Sequence, residues 1–286
     1  MAQTLTDIKN LMASHGLHPK KRFGQNFLHD GNHMRRIMDA AELEEGGLVL
    51  EVGPGTGALS ERLLEAGASL VAVEIDRDME PILRDRLSGF GDRFQLHIGD
   101  VLENKHTLNP AVVELLGGRP FKLIANLPYN IASPLLVNLA VDHPGMSSAV
   151  VMIQREVADR ITARPSGRVI GHSGTTSGGG GKDYGPLSVI LQAICEVDVV
   201  GTLPPQCFWP RPKVASAVVR LVRRANPLTD DPAALSSLLQ TLFQKRRKQL
   251  GAILGRDRAL PKGIDPDARP ESLSVEQFVQ LARWLG

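Results

Sequence analysis

The chain has 286 residues, 42% of them hydrophobic, and a formal net charge of +2, which suits one large globular domain followed by a small one. Its only cysteines, Cys195 and Cys207, form no CxxC pair, so the sequence predicts neither a disulfide framework nor a metal site. Because no apolar run approaches the roughly 20 residues of a membrane helix and the N-terminus lacks an apolar signal stretch, we expect a protein of the reducing cytoplasm without membrane contact.

The N-terminal residues before Lys20 show little periodicity, and we expect them to form a loosely held arm. Residues 48–52, four of which are apolar, then predict a first strand. From this run to about residue 153, predicted strands alternate with predicted helices. Such alternation is typical of βαβ units and predicts an α/β fold with a parallel sheet.

A glycine-rich turn at residues 53–57 follows the first predicted strand directly and has the pattern G-x-G-x-G. Gly53 and Gly55 would let the backbone turn tightly and approach a ligand closely. Alone, this turn fits a nicotinamide-dependent dehydrogenase nearly as well as a methyltransferase. Glu51, however, precedes the glycines and would repel a phosphate group, whereas it suits a sulfonium or an amino group.

Two acidic residues end the next two predicted strands. Glu74 follows residues 70–73 and lies about 20 residues beyond the glycine turn, which is the spacing at which an acid binds ribose hydroxyls. Asp100 follows residues 94–98, where its side chain could accept a hydrogen bond from the adenine amine of a cofactor. The alternative is that both are polar residues at strand ends that cap the following helices.

The most informative segment is Asn126-Leu127-Pro128-Tyr129, which follows a predicted strand at residues 121–125. In open α/β sheets, ligands bind where such strands end. The side-chain oxygen of Asn126 and the carbonyl of Leu127 can each accept a hydrogen bond from one amine group. Pro128 fixes the backbone so that both acceptors point the same way, and Tyr129 offers a flat face on which a base can stack. With the glycine turn, these residues indicate an S-adenosylmethionine-dependent methyltransferase that acts on the exocyclic amine of adenine.

The first domain is expected to span residues 1–224. Within it, residues 166–182 approximately are rich in glycine, serine and threonine, a composition that cannot bury apolar surface. We interpret this stretch as a flexible surface insertion. The alternative is an additional RNA-contacting loop that carries Arg168, His172 and Lys182.

A small helical domain is expected at residues 225–286. Before it, residues 187–200 predict a helix that leads into a strand, and residues 213–222 predict a further strand. Asp231, followed by proline, is a favourable helix start, and Ser274 opens a capping-box pattern for the last helix. Apolar residues recur at helical spacing between these two points.

Basic side chains form local clusters although the net charge is mild for a protein that binds RNA. Each cluster alone is typical of a solvated surface, but three of them in a protein with a base-binding turn indicate contacts with phosphate groups. The clusters are residues 20–22, residues 245–248, and the set Arg211, Lys213, Arg220, Arg223 and Arg224.

Together these motifs resemble the ribosomal RNA adenine dimethyltransferase family, and within it the members that dimethylate two adjacent adenosines near the 3′ end of small-subunit (16S) rRNA. The match runs in order from about Lys20 to the C-terminus. The insertion departs from the family, whose members usually cross this gap with a few residues, but it removes no motif residue. Besides the segments described above, the match includes residues 20–28, 73–76, 99–101, 154–158, 183–185 and 208–214.

The resemblance implies a Rossmann-like class I methyltransferase sheet of seven strands with a small all-helical C-terminal domain. It places Asn26 and Leu28 in a lid over the cofactor S-adenosyl-L-methionine, Asn126 at both cofactor and base, and Phe208 against the base on the side opposite Tyr129. The implied partner is 16S rRNA in the immature small ribosomal subunit, onto which the helical domain would dock. Nothing in the sequence calls for more than a monomer.

Three other functions remain open. A large-subunit rRNA methyltransferase that confers macrolide resistance would share the fold and nearly the same motif, although Leu127 in place of isoleucine and residues 208–210 favour the small-subunit type. A DNA adenine methyltransferase would usually carry a target-recognition domain, for which this chain is too short. A ribosome-assembly factor would use the fold only to bind rRNA, and the intact residues 126–129 argue against such a loss of catalysis.

Overall fold

The computed structural model describes residues 3–166 and 181–286. The insertion predicted at about residues 166–182 therefore lies, apart from its ends, outside the described residues. The chain forms two compact units. The first comprises the described residues of Met1–Ala158 together with Asp198–Val222, and the second comprises those of Asp159–Val197 together with Arg223–Gly286.

The strands and helices are numbered in chain order. The strands are β1 Phe27–Leu28, β2 Leu48–Val52, β3 Ser69–Glu74, β4 Phe94–Ile98, β5 Leu102–Asn104, β6 Thr107–Leu108, β7 Phe121–Asn126, β8 Met146–Gln154, β9 Cys195–Leu203, β10 Phe208–Trp209 and β11 Ser216–Arg223. The helices are α1 Leu5–Ser14, α2 Gly31–Ala41, α3 Ala58–Glu65, α4 Glu80–Leu87, α5 Pro110–Leu116, α6 Ala132–Asp142, α7 Arg155–Thr162, α8 Pro186–Ile194, α9 Pro232–Gln244, α10 Leu250–Leu254 and α11 Val275–Leu285. In the part of the chain that the structure describes, none of the helices has the length and apolar character needed to cross a bilayer.

The first unit is built on a seven-stranded sheet with the order β4-β3-β2-β7-β8-β11-β9. The pairs β3–β4, β2–β3, β2–β7 and β7–β8 are parallel, and β8–β11 is antiparallel. From β2 the chain first adds β3 and β4 on one side of that strand, and it then adds β7 and the later strands of this sheet on the other side. The carboxyl ends of β2 and β7 therefore flank the point at which open α/β sheets bind ligands. The predicted seven-stranded sheet is confirmed.

The central strands are buried because helices cover both faces of a parallel sheet. All five side chains of β2 are buried, including the carboxyl group of Glu51. A strand that is buried on both faces is mostly apolar, which explains why β2 shows no regular alternation of apolar and polar residues. The chain then leaves the sheet through the glycine turn and enters α3 after Gly57, whose φ is 77°.

The N-terminal segment is a packed helix, and the expectation of a loosely held arm was wrong. Thr4 and Asp7 form a capping box at the start of α1. Ile8 and Met12, one turn apart, are 0% and 1% exposed and belong to the core of the first unit. Two apolar residues at a spacing of four are too short a pattern to predict a helix from the sequence. In the folded protein, the burial of these two side chains is sufficient to hold the helix against the core.

The second unit is helical. Helices α8, α9 and α11 pack against one another, and all side chains of residues 187–194 are buried. The predicted helix starts are confirmed, since Asp231 accepts a hydrogen bond from the N–H of Ala234 at 2.9 Å and Ser274 forms a capping box with Gln277. The basic residues 245–248 lie in the turn between α9 and α10.

The division into units differs from the predicted boundary at residue 224. The described residues of the range 159–197, which we expected to belong to the sheet domain, group with the C-terminal helices. The reason is that the side chains of residues 187–194 in α8 are buried on all sides and that α9 and α11 pack against this helix. The Tyr184 hydroxyl, which donates a hydrogen bond to the carbonyl of Leu273 at 3.0 Å, adds a polar link between the two segments of this unit.

Candidate active site

A cavity of about 250 Å³ opens in the first unit where β2, β3 and β7 end. Its wall combines the glycine turn, the segment before and within β1, and the turn after β7. The structure thus brings together nearly all the residues that the sequence predicted for the cofactor and the base. Those that line the cavity are Asn26, Leu28, Gly53, Gly55, Glu74, Asp100, Asn126, Leu127, Pro128 and Tyr129.

The glycine turn has a left-handed backbone, and at Gly55 a neighbouring side chain leaves no room for a Cβ atom. Gly53 and Gly55 have φ values of 73° and 56°. A Cβ atom on Gly55 would lie 2.7 Å from Cε1 of Phe27, and one on Gly53 would lie 3.5 Å from Cδ of Pro128. The left-handed backbone favours glycine at both positions, and at Gly55 the close approach of Phe27 in β1 also excludes a side chain. The result is a cradle in which bare backbone faces the cavity.

Glu74 holds this turn in place. Its Oε2 atom accepts a hydrogen bond from the N–H of Gly55 at 3.1 Å, and its Oε1 atom accepts one from the N–H of Asp76 at 2.8 Å. Burial raises the pKa of Glu74, and the two backbone hydrogen bonds partly offset that rise. Because each carboxylate oxygen can accept more than one hydrogen bond, the side chain can also bind ligand hydroxyl groups.

Glu51 is a buried acid beside the cavity. The Ser60 hydroxyl donates a hydrogen bond to its Oε2 atom at 2.6 Å. Burial raises the pKa of Glu51 to about 8, the Ser60 hydrogen bond lowers it, and the neighbouring charge of Glu74 raises it. At neutral pH the carboxyl group is thus mainly protonated, and a cation in the cavity would favour its ionised form.

Asp100 lies at the exposed rim of the cavity. Its Oδ1 atom accepts a hydrogen bond from the N–H of Leu102 at 3.0 Å, and Asn109 donates to its backbone carbonyl at 3.0 Å. These bonds fix the loop after β4. Asp100 follows β4 and Asn126 ends β7, and the strands β3 and β2 lie between those two strands in the sheet. Asp100 and Asn126 therefore lie at opposite ends of the cavity wall.

The turn after β7 presents acceptors rather than a base. The Asn126 amide nitrogen donates a hydrogen bond to the carbonyl of Asn26 at 2.8 Å, so its side-chain oxygen remains available to a ligand. The N–H of Leu127 donates to the carbonyl of Met152 at 3.0 Å, which anchors the turn to β8. The Tyr129 hydroxyl is 3.0 Å from Oγ of Ser216, and burial raises the pKa of Tyr129. Tyr129 is therefore a neutral aromatic group.

Sequence reasoning missed the network that holds the segment before β1. Lys20 forms ion pairs with Asp76, at 2.6 Å, and with Asp78. Gln25 donates to the other oxygen of Asp76 at 2.8 Å and accepts the N–H of Lys20 at 2.8 Å. Lys20 therefore serves to attach this segment to β3 and is not free for phosphate. Its partner lies 56 residues away, so no local pattern predicts the pair.

Phe208 is the predicted site residue that does not line the cavity. It is 3% exposed and pairs with Leu28 in the two-stranded sheet of β1 and β10, so it lies behind a residue of the cavity wall. Trp209 pairs with Phe27 in the same ribbon, with ring centroids 6.3 Å apart. Contact between Phe208 and a base would require the ribbon to shift, and this role stays a prediction.

Comparison with known proteins agrees with this geometry. The chain is 39% identical to a "Ribosomal RNA small subunit methyltransferase A" of Phenylobacterium zucineum, covering 99% of this chain and 94% of the relative. It is 38% identical to the protein of the same name from Pseudomonas aeruginosa, covering 93% and 94%. Among solved structures, the 23S rRNA methyltransferase ErmE is similar with a TM-score of 0.65 and 27% identity, covering 90% of this chain and 98% of that one.

A family model points the same way. The model described as "Ribosomal RNA adenine dimethylase" matches residues 16–286, a range that extends over both compact units except the N-terminal residues of the first and includes every predicted site residue. The chain belongs to the ribosomal RNA adenine dimethylase family.

Proposed function

We propose that this chain dimethylates the exocyclic amines of two adjacent adenosines near the 3′ end of 16S rRNA, with S-adenosyl-L-methionine as methyl donor. The observation that carries the proposal is the turn after β7. It places the free acceptor of Asn126 and the ring of Tyr129 in the wall of the cavity that the glycine turn also lines. The names of the relatives, which are small-subunit enzymes at 38–39% identity, support the choice of subunit.

The cavity fits the cofactor. Gly53 and Gly55 present backbone without a Cβ atom to the methionine part, and the buried Glu74 offers carboxylate oxygens to ribose hydroxyls. Asp100 at the rim would accept the adenine amine, and Glu51 would balance positive charge in its ionised form. Asn26 and Leu28 would close the cavity from the β1 side. When bound, the cofactor supplies a methyl group already activated by its sulfonium sulfur.

The target amine is prepared by hydrogen bonding rather than by a strong base. The lone pair of an aromatic amine is delocalised into the ring, which makes the amine a poor nucleophile. When Asn126 Oδ1 and the Leu127 carbonyl accept the two N–H groups, the nitrogen becomes more pyramidal and its lone pair more available. Tyr129 holds the base by stacking, so that positioning supplies much of the rate. The amine proton becomes acidic after transfer and leaves to water.

The second methyl transfer places a further requirement on the same turn. A monomethylated amine has one N–H left, so only Asn126 or Leu127 can then accept a hydrogen bond. The methyl group already present must occupy space beside the other acceptor. We infer that the space around Asn126 and Leu127 determines whether the reaction proceeds to the dimethylated product.

The second unit is proposed to dock on the rRNA of the immature small subunit. The turn between α9 and α10 exposes Lys245, Arg247 and Lys248. Arg246 in the same run is bound to Glu271, with Nε 2.6 Å from Oε2. Three exposed cations on one short turn provide contacts for neighbouring phosphate groups.

The test is methyl transfer from labelled S-adenosylmethionine to immature small subunits, with the modified bases mapped by primer extension. We expect label in two adjacent adenosines near the 3′ end of 16S rRNA and loss of label in Asn126→Ala. A parallel reaction with large-subunit RNA is the control for substrate choice. Label only in large-subunit RNA would assign the chain to the macrolide-resistance type, and unchanged labelling by Asn126→Ala would refute the role of the turn.

A further inference from the structure

Outside the active site, three side chains of different chemistry meet at one point of the first unit. Asp30 follows β1 and caps α2, His33 lies in the first turn of α2, and Cys207 directly precedes β10. One ligand atom from each lies within 4.8 Å of the others. The sequence predicted no metal site, because Cys207 is 174 residues from His33 and belongs to no ligand-spacing motif.

The distances between these atoms are close to those of a zinc site. Nδ1 of His33 is 3.0 Å from Oδ1 of Asp30 and 3.7 Å from Sγ of Cys207, and Sγ is 3.9 Å from Oδ2 of Asp30. In tetrahedral zinc sites, bonds of about 2.3 Å to sulfur and about 2.0 Å to nitrogen and oxygen put these ligand atoms about 3.3–3.6 Å apart. The distances from Sγ to Nδ1 and from Sγ to Oδ2 are within a few tenths of an ångström of that range. The 3.0 Å between Nδ1 and Oδ1 is a hydrogen-bond distance, so Oδ2 is the oxygen of Asp30 that faces a metal.

We propose that Asp30, His33 and Cys207 bind a zinc ion, with the fourth position left to water. A thiolate with an imidazole favours zinc over magnesium or calcium, which prefer oxygen ligands alone. On binding, the Cys207 thiol gives its proton to solvent and its sulfur bonds to the metal. No oxidation state changes.

The surroundings orient the ligands. Oδ1 of Asp30 accepts the N–H groups of Asn32 and His33, both at 3.0 Å, which holds the carboxylate and directs Oδ2 to the cysteine side. The N–H of His29 donates to the carbonyl of Cys207 at 3.0 Å, which ties the two chain segments together at the site. Ligand side chains held by hydrogen bonds of this kind are typical of metal sites.

The site would act as a clamp on the lid of the cofactor cavity. β1 ends two residues before Asp30, and β10 begins one residue after Cys207. In this ribbon Leu28 lines the cavity and Phe27 lies against Gly55. A metal that links the two segments would hold the ribbon closed, so zinc would strengthen cofactor binding. By reciprocity the cofactor would strengthen zinc binding by the same factor. This coupling rests on the proposed function, whereas metal binding does not.

Metal binding is tested with cobalt(II) titrated into the chelator-treated full chain. We expect one equivalent to produce the near-ultraviolet thiolate-to-cobalt absorption and the visible bands of four-coordinate cobalt, and zinc to displace it. Cys207→Ala should abolish the thiolate band, and His33→Gln should weaken binding by at least about tenfold. Cys195→Ala is the matched control, because it removes the other buried cysteine, which lies in the second unit.

Other outcomes would overturn the proposal. Absence of a stoichiometric cobalt spectrum in the wild type, or an unchanged thiolate band in a folded Cys207→Ala protein, would show that the cluster is only a hydrogen-bonded helix cap. The retention of bound cobalt by His33→Gln at wild-type affinity would contradict the ligand set. Circular dichroism of each variant identifies those that are folded, and His33→Gln provides a second reading if Cys207→Ala fails to fold.

The clamp is tested by calorimetry of S-adenosylmethionine binding to zinc-loaded and chelator-treated protein. We expect several-fold tighter binding with zinc in the wild type and in Cys195→Ala, and no effect of zinc in Cys207→Ala. Equal affinities with and without zinc in a protein that binds cobalt would refute the clamp. Neither measurement depends on RNA methylation, so failure here is distinguishable from failure of the proposed substrate.

Discussion

Gly55 has a left-handed backbone and no room for a side chain, and these two constraints can be separated by mutation. Gly55→Ala would place a Cβ atom 2.7 Å from Phe27 Cε1 at a φ of 56°. Gly118 has a similar φ of 67°, but nothing lies within 4 Å of its Cβ position. Gly118→Ala should therefore cost only the left-handed strain of about 1–2 kcal/mol. Gly55→Ala should cost more and should also weaken S-adenosylmethionine binding.

Urea unfolding and calorimetry of cofactor binding measure these two effects. The cofactor affinity of Gly118→Ala should equal that of the wild type. If Gly55→Ala bound the cofactor normally, the close packing of Phe27 on the glycine turn would have no part in forming the site.

Glu51 makes stability depend on pH. In the folded protein its pKa is raised from 4.5 to about 8, mainly by burial. Between these pH values the native state holds a proton that the unfolded state has lost, so the free energy of unfolding falls as pH rises. The full effect is on the order of 5 kcal/mol. Glu51→Gln, which keeps an acceptor for Ser60, should flatten this slope.

The measurement is urea unfolding at a series of pH values from 5 to 9, chosen to bracket most of that window. The exposed Glu65→Gln serves as the matched control and should keep the wild-type slope. If the slope of the unfolding free energy against pH were unaltered in Glu51→Gln, another group would dominate the pH dependence.

At the scale of elements, strands that run through the centre of the sheet were predictable, and short or remote pairings were not. The apolar runs of β2 and β7 are long enough to identify buried strands, and the turns that follow them identify the site. β1 and β10 have two residues each and form only because Phe27 and Leu28 meet Trp209 and Phe208 from a distant part of the chain. A pairing of that range leaves no periodicity in the sequence, so the position of Phe208 behind Leu28 could not be foreseen.

The N-terminal helix α1 should contribute measurably to stability. Ile8 is fully buried in the core of the first unit. Ile8→Ala should lower the free energy of unfolding by about 2–5 kcal/mol, since it removes buried methyl groups and leaves a cavity. Asn10→Ala changes an exposed position of the same helix and should shift stability by no more than about 0.5 kcal/mol. If urea unfolding showed equally small effects of both changes, the N-terminal segment would be a loosely held arm after all.

At the scale of the whole molecule, the family was predictable because its motifs are local, whereas the partition of the chain was not. These motifs are short and lie at strand ends: the glycine turn, Glu74 and residues 126–129. Unit membership depends instead on which helices bury which faces. The described residues of 159–197 join the C-terminal helices because α8 is buried on all sides. That requirement is visible only when the helices that pack against α8 are known.

The basic turn offers adjacent arginines with different roles. Arg246 binds Glu271 and the carbonyl of Lys182, at 2.6 Å and 3.1 Å, whereas Arg247 is exposed. Arg247→Ala should weaken association with immature small subunits and reduce the slope of log affinity against log salt by about 1, which corresponds to one phosphate contact. Arg246→Ala should instead lower the stability of the protein by about 1 kcal/mol.

Filter binding over a range of salt concentrations, together with urea unfolding, separates the two arginines. Cofactor affinity should stay at the wild-type value in Arg247→Ala, because the cavity lies entirely in the first unit. If Arg247→Ala left both affinity and salt slope unchanged, this turn would not contact phosphate. Recognition of the subunit would then have to rest on the other basic clusters. In the cluster at residues 20–22, Lys20 is already paired with Asp76.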